Sequence, residues 1–199
     1  MSATALPRLW LARHGQTAWS LTGQHTGLTD LPLTPAGEAN ARRLGERLRL
    51  QRFDRVLCSP LQRAQRTCEL AGFGSRAELD ARLLEWDYGD YEGRTRDTIQ
   101  ATRPDWRLFR DGCPGGESPA QVAARADSLI ATLRPLPGDT LLFSSGHLLR
   151  MLAARWLGLA PAAGALLALD TASLSVLGYE HALQQPVLRL WNDTTHAAA

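Results

Sequence analysis

Short apolar runs, each handing over to a segment of helical period, recur along this chain and limit what it can fold into. Arg8 to Ala12 is one such run. Asp54 to Ser59 carries Val56-Leu57-Cys58, and Thr140 to Ser145 carries Leu141-Leu142-Phe143. Runs this short, dominated by apolar residues, suit strands buried in a sheet. Arg76 to Leu79 is a shorter candidate of the same kind. The helix starts are written in cap residues. Thr34-Pro35 places a hydroxyl before a proline at the first helical position, and Ala36, Ala39, Leu44 and Leu48 give an apolar stripe up to Leu50. Pro60 opens a second helix to about Ala71. Ser118-Pro119-Ala120-Gln121 allows a capping box, and that helix should run to about Leu133, where Pro135 and Pro137 stop it. A further helix is expected from Leu148 to Leu157, ended by Gly158. Ser173 to Leu177 and Val187 to Trp191 read as two late strands, and the tail beyond Asp193 is expected to fray.

Strand and helix in alternation, closed by two strands, predict a three-layer α/β/α sandwich with a largely parallel central sheet. With 199 residues, the chain suffices for one domain with a substantial core, and a single domain over 1–199 is expected. Two stretches resist the pattern. Residues 15–33 show no period and read as a long ordered loop. Arg82 to Gly116, with Trp86, Tyr88, Tyr91, Trp106 and Phe109, reads as a covering insertion, around 86–116, holding one or two short helices.

Composition excludes several classes of function. A net charge of +2, with arginines dispersed beside acids, argues against a nucleic-acid or lipid surface. Cys58, Cys68 and Cys113 lack CxxC spacing, so buried thiols are expected rather than a disulfide scaffold or structural zinc. The apolar stretch from Leu157 to Leu169 is interrupted by Gly158, Pro161 and Gly164 and is not expected to span a membrane. No positively charged leader precedes a long apolar segment, so a cytoplasmic location is expected.

The chemistry begins at Arg13-His14-Gly15, directly after the first apolar run. A neutral imidazole at a strand end is nucleophilic, and a phosphorylated nitrogen divides a difficult transfer into two steps. Arg13 can fork onto two phosphoryl oxygens. Gly15 would leave room for an oxyanion. Arg63, in the first turn of a helix after a strand, would meet a phosphate together with backbone N–H groups. His147 follows an apolar strand and Gly146. As imidazolium it would hold a phosphoryl oxygen, and no neighbouring ligand cluster makes it a metal site. The residue after it is Leu148, so the proton donor lies elsewhere. Glu85 is the strongest donor, because the aromatic loop after it would desolvate it and favour its protonated form; Asp87, Asp90 and Glu92 are rivals on spacing alone. Trp86, Tyr88 and Tyr91 serve equally well as core or as pocket wall.

This set resembles the histidine phosphatase superfamily, the group of phosphoglycerate mutases and many small phosphatases. The matches run from Leu9 to Asn192: Arg13-His14-Gly15, Ser59-Pro60-Leu61-Gln62-Arg63-Ala64, Glu85 before Trp86-Asp87-Tyr88-Gly89, Gly115-Gly116-Glu117-Ser118, and Gly146-His147. The resemblance implies a phosphoglycerate mutase-like fold, His14 as the phosphorylated nucleophile, Arg13, Arg63 and His147 as the phosphate pocket, and Glu85 as proton donor. It also brings Ser20, Thr26 and Gly27 toward the phosphate, although Ser20 stands where relatives carry asparagine. Ser144-Ser145-Gly146-His147 replaces the more frequent Ser-His-Gly-His, and no catalytic role is given to Ser145. The expected activity is a metal-independent phosphatase of a small phosphorylated metabolite, a sugar phosphate or bisphosphate, with no cofactor. Phosphoglycerate mutase, phosphoprotein phosphatase and a non-catalytic phospho-ligand binding module are the alternatives. A homodimer is left open.

Overall fold

The computed structural model describes residues 6–197. Six strands form one sheet: β1 (Leu9–Arg13), β2 (Arg55–Cys58), β3 (Ala77–Leu79), β4 (Thr140–Ser144), β5 (Leu174–Tyr179) and β6 (Pro186–Asp193), in the order β3-β2-β4-β1-β5-β6. The pairs β2–β3, β2–β4 and β1–β4 are parallel, while β1–β5 and β5–β6 are antiparallel. Among the helices, α1 (Ala18–Thr22), α2 (Pro35–Leu48) and α3 (Gln62–Leu70) precede the insertion. α4 (Arg96–Thr102) and α5 (Leu108–Asp111) lie within it. α6 (Pro119–Leu133) and α7 (Gly146–Trp156) follow.

Alternation along β1 assigns the layers. Trp10 and Ala12 pack with Leu44 and Leu48 of α2 and Ala64 and Cys68 of α3. Leu9 and Leu11 belong to the opposite core, with Val122, Ala126 and Leu129 of α6 and Leu148 and Leu152 of α7. This is the expected three-layer sandwich. The caps follow their sequence signals. Thr34 Oγ1 accepts from the Gly37 N–H (3.0 Å), and Ser118 and Gln121 form the capping box that starts α6.

Three local expectations change. The stretch read as loop between 15 and 33 contains α1, because Thr17 and Ser20 cap each other reciprocally and Gly23 ends the turn in the left-handed region (φ 76°). Helix α3 starts at Gln62 rather than Pro60, with Leu61 still extended. The tail does not fray directly after Asp193. Thr195 donates to the Asp193 carboxylate, and His196 Nε2 lies 2.8 Å from the Ala172 carbonyl. Residues 198–199 of that tail, like residues 1–5, lie outside the described residues. Cys58, Cys68 and Cys113 are buried and free. Among the described residues, no helix is long and apolar enough to cross a membrane.

Candidate active site

The site opens where β1 and β4 lie side by side, with Arg13 opposite Ser144. The chain leaves β1 toward the α2 face and leaves β4 into α7 on the other face. Such a divergence opens a crevice at the carboxyl ends of the strands. His14 sits in it, pinned on both sides: its N–H donates to the Ser144 carbonyl (2.9 Å), and its carbonyl accepts from Ala172 (3.0 Å).

A cavity of about 170 Å³ brings together Arg13 and His14, Glu85, and His147, from three segments far apart in sequence. His14 Nδ1 lies 2.8 Å from the Gly15 carbonyl. A carbonyl oxygen only accepts, so Nδ1 carries the proton and Nε2 keeps its lone pair. Burial, reinforced by the Arg13 and Arg63 guanidinium groups, pushes the His14 pKa well below its usual value. The ring is therefore neutral and nucleophilic.

Glu85 is buried (4% exposed), as the aromatic segment after it predicts. Its carboxylate accepts from the backbone N–H groups of Trp86 (2.9 Å), His147 (2.9 Å) and Leu148 (2.8 Å), and so closes the amino end of α7. Arg125 holds the segment from behind. It donates to the Leu84 carbonyl (2.6 Å) and pairs with Glu117 (2.7 Å), whose carboxylate also takes the Asp87 N–H (3.0 Å). The match at Gly115 to Ser118 thus has a mechanical reason: Glu117 anchors the Glu85 loop.

His147 departs from expectation in its charge. Burial first, then Arg150, His25 and Arg13, pushes its pKa well below the usual value, so the ring is neutral rather than an imidazolium. The Tyr88 hydroxyl lies 2.6 Å from its Nδ1. Burial, with Glu85 adding to it, pushes the Tyr88 pKa well up, so the phenol keeps its proton. Donation from that hydroxyl to Nδ1 leaves the His147 proton on Nε2, where the ring serves as a hydrogen-bond donor.

Arg13 donates to the Leu169 carbonyl and lies against α7. A Cβ at Gly146 would come within 3.1 Å of its Cζ, so the glycine permits that approach. The buried Arg13 Nε has no partner among the described residues.

Other expected phosphate contacts sit differently. Arg63 is fully buried and does not line the cavity. It donates to the carbonyls of Thr29 (3.0 Å), Thr26 (3.0 Å) and Gly27 (2.8 Å), and the first N–H of its helix goes to Asp30 (2.8 Å). Its charge nevertheless reaches His14. The Gly15 N–H donates to Thr67 Oγ1 (2.9 Å), and a Cβ on Gly15 would meet the Gly37 carbonyl at 2.5 Å. Gly15 therefore admits the backbone of α2 rather than an oxyanion. Ser20 lines the cavity, but its hydroxyl takes the Thr17 N–H (2.8 Å) and donates to the Thr17 carbonyl (2.9 Å). Thr26 also lines it, with its hydroxyl on the Gln24 carbonyl (3.2 Å). Gly27 stands behind the wall and donates to Glu92 (2.9 Å).

His25 was not singled out by sequence reasoning. It lines the cavity and lies nearly parallel to His147, ring centroids 6.0 Å apart. Its Nδ1 is 2.7 Å from the Arg94 carbonyl, which leaves Nε2 as an acceptor. No period or motif marks it, because it stands in an irregular segment and reaches the site only through its bridge to the insertion. Among the described residues, no group of three or more His, Cys, Asp or Glu side chains is arranged to hold a metal ion.

The family model for the histidine phosphatase superfamily (branch 1) matches residues 9–194. The chain belongs to that superfamily and is a phosphoric monoester hydrolase of the histidine phosphatase type. It is similar to the acid phosphatase of Mycobacterium tuberculosis, with 44% identity over 89% of each chain. It is also similar to the sedoheptulose 1,7-bisphosphatase of Saccharomyces cerevisiae, with 39% identity over 77% of this chain and 68% of the relative. Among solved structures, the Rv3214 open reading frame product of Mycobacterium tuberculosis superposes with a TM-score of 0.89 at 42% identity, covering 93% of this chain and 96% of that one.

Proposed function

We propose that this protein hydrolyses the phosphomonoester of a small metabolite, a sugar phosphate or bisphosphate, through a phosphohistidine on His14 and without a metal ion. The observation that carries the reading is the His14 Nδ1 contact to the Gly15 carbonyl, which leaves Nε2 with its lone pair free, on a ring that lines the same cavity as Arg13, Glu85 and His147. In the first step Nε2 forms a bond to phosphorus while the bond from phosphorus to the ester oxygen breaks, and Glu85 gives that oxygen its proton. In the second step water attacks the phosphohistidine, its proton passes to Glu85, and the P–N bond breaks to release phosphate. Arg13, partly unpaired, and the Nε2–H of His147 stabilise the equatorial oxygens through both steps. Arg63 supports them from behind the wall through its positive charge.

The test is phosphate release from sugar phosphates, bisphosphates and phosphoglycerates, with and without EDTA, with His14→Ala as control. Release that survives EDTA and vanishes in the variant is expected. Interconversion of phosphoglycerates without release would instead mark a mutase, and unchanged release by His14→Ala would overturn the phosphohistidine route.

A further inference from the structure

Arg13 and His14 are both held from behind by the loop 168–173. The Leu169 carbonyl accepts from the Arg13 guanidinium, and the Ser173 carbonyl accepts from the Arg13 N–H (3.1 Å). The Ala172 N–H donates to the His14 carbonyl (3.0 Å). Burial lowers the Arg13 pKa, and the negative charges of Glu85 and Asp170 oppose it, so the loop also helps to keep that guanidinium charged. The loop does not support itself. It contains neither helix nor strand, and Ala172 stands in the left-handed region (φ 57°), which alanine enters at a cost.

The end of β6 and the residues just after it hold the loop in place. Leu174 pairs with Asp193 and Val176 with Leu190, so Trp191 and Asn192 together oppose Ser175, and the strand bulges there. Asn192 takes a left-handed φ of 56°, which asparagine tolerates. Its N–H goes to Ser175 Oγ (3.0 Å). Its side-chain amide spans Asp170: Oδ1 accepts the Asp170 N–H (2.7 Å), and Nδ2 donates to the Asp170 carboxylate (2.8 Å). Trp191 Nε1 donates to the Ala168 carbonyl. His196 Nε2 donates to the Ala172 carbonyl (2.8 Å), since a carbonyl oxygen only accepts. The same segment is tied to α2, through Arg47 to Asp193 (3.4 Å) and Arg43 to the Ala197 carbonyl (3.4 Å). Residues 191–196 do not line the cavity around His14.

We infer that Asn192 and His196 are positioning residues for phosphoryl transfer: they clamp the loop 168–173, and the loop holds the Arg13 guanidinium and the His14 ring in the geometry that the transition state requires. This rests on the phosphatase reading above and adds to it two residues remote from the cavity. Each acts on one group of the site by a short path. Asn192 fixes Asp170, next in the chain to the carbonyl that takes Arg13. His196 fixes Ala172, whose N–H holds the His14 backbone. Without the clamp, Ala172 can relax out of the left-handed region, and that motion passes directly to His14. A nucleophile and a guanidinium displaced by about 1 Å still bind a phosphate group but match the transition state poorly, so the loss falls on kcat rather than on KM.

The experiment compares wild type with Asn192→Gly, His196→Ala and His196→Gln. Glycine keeps the left-handed backbone at 192 and removes only the side chain. The glutamine amide can still donate to the Ala172 carbonyl. Turnover of p-nitrophenyl phosphate is measured well below each melting temperature, beside inhibition by vanadate, which resembles the five-coordinate transition state, and calorimetric affinity for inorganic phosphate. In Asn192→Gly and His196→Ala, kcat falls about tenfold or more and vanadate binding weakens by a similar factor, while KM and phosphate affinity stay within about threefold. His196→Gln recovers kcat to within about threefold of wild type. A purely structural role would lower the melting temperature yet leave kcat and vanadate inhibition within about twofold, and that result overturns the inference, as does a loss that falls on KM alone. If Asn192→Gly does not fold, the two His196 variants decide by the same thresholds. If wild type does not hydrolyse p-nitrophenyl phosphate, the phosphatase reading fails and calorimetric affinity for vanadate decides. A loss of about tenfold, selective over phosphate, then supports the clamp, and equal affinities, or none in wild type, reject it.

Discussion

The hydroxyl of Tyr88 lies 2.6 Å from Nδ1 of His147 and sets which nitrogen of that ring carries its proton. Two buried groups with opposed tendencies meet there: the phenol holds its proton more tightly than usual, and the imidazole more weakly. The result is a neutral ring with its N–H turned away from Tyr88. Replacing Tyr88 by phenylalanine frees the ring to adopt either tautomer. The expected outcome is a fall in kcat of roughly tenfold, the size of one hydrogen bond's orienting effect, with the fold retained. Steady-state kinetics beside a thermal melt checks it, and an unchanged kcat would show that the tautomer is set otherwise.

His14 and Glu85 should fail in different ways. His14→Ala removes the atom that bonds to phosphorus, so acid-labile, base-stable labelling of the protein by substrate disappears together with turnover. Glu85→Gln keeps the shape of the side chain and one acceptor oxygen, but it loses proton transfer and turns an NH2 group toward a backbone N–H that the carboxylate accepted. Turnover should drop about 10²–10⁴-fold for alkyl phosphates and much less for p-nitrophenyl phosphate, whose leaving group needs no proton. Equal losses on both substrate types would remove Glu85 from the proton-transfer role.

Acid should be tolerated further than an ordinary histidine would allow. His14 and His147 both have their pKa pushed well below 6.5, chiefly by burial. The nucleophile stays unprotonated as the pH falls through that value, so the acid limb of kcat/KM lies below about pH 6.5. Stability carries the same sign. Unfolded histidines take up protons near their ordinary pKa while the buried ones do not. Their contribution is therefore complete above about pH 6.5 and is lost as the pH falls toward the folded values. Urea midpoints at pH 7.5 and pH 5 test this, and a higher midpoint at pH 5 would contradict it.

Gly15→Ala probes packing rather than chemistry. The new methyl, fixed to the backbone, would face the Gly37 carbonyl at 2.5 Å, where neither side can swing away. A destabilisation of about 1–3 kcal/mol is expected. A variant that melts like wild type but loses phosphate affinity would instead return Gly15 to the oxyanion role.

The strands and the capped helices were legible in the chain because their causes are local. The unbroken apolar run from Leu9 to Ala12, the hydroxyl of Thr34 before Pro35, and the pairing of Ser118 with Gln121 each act within a few residues. The residues His14, Glu85 and His147 were legible for a related reason, since each stands at or near the end of such an element. Other features depended on which elements become neighbours. Strand order places β4 between β1 and β2 and so brings His147 to His14. The approach of α2 turns Gly15 into a packing site, and the 26–29 carbonyls draw Arg63 behind the wall. The insertion delivers Tyr88 to His147 and the Arg94 carbonyl to His25. Burial within that assembled site then sets the charge of both histidine rings, because desolvation is a property of the surroundings and not of the side chain alone.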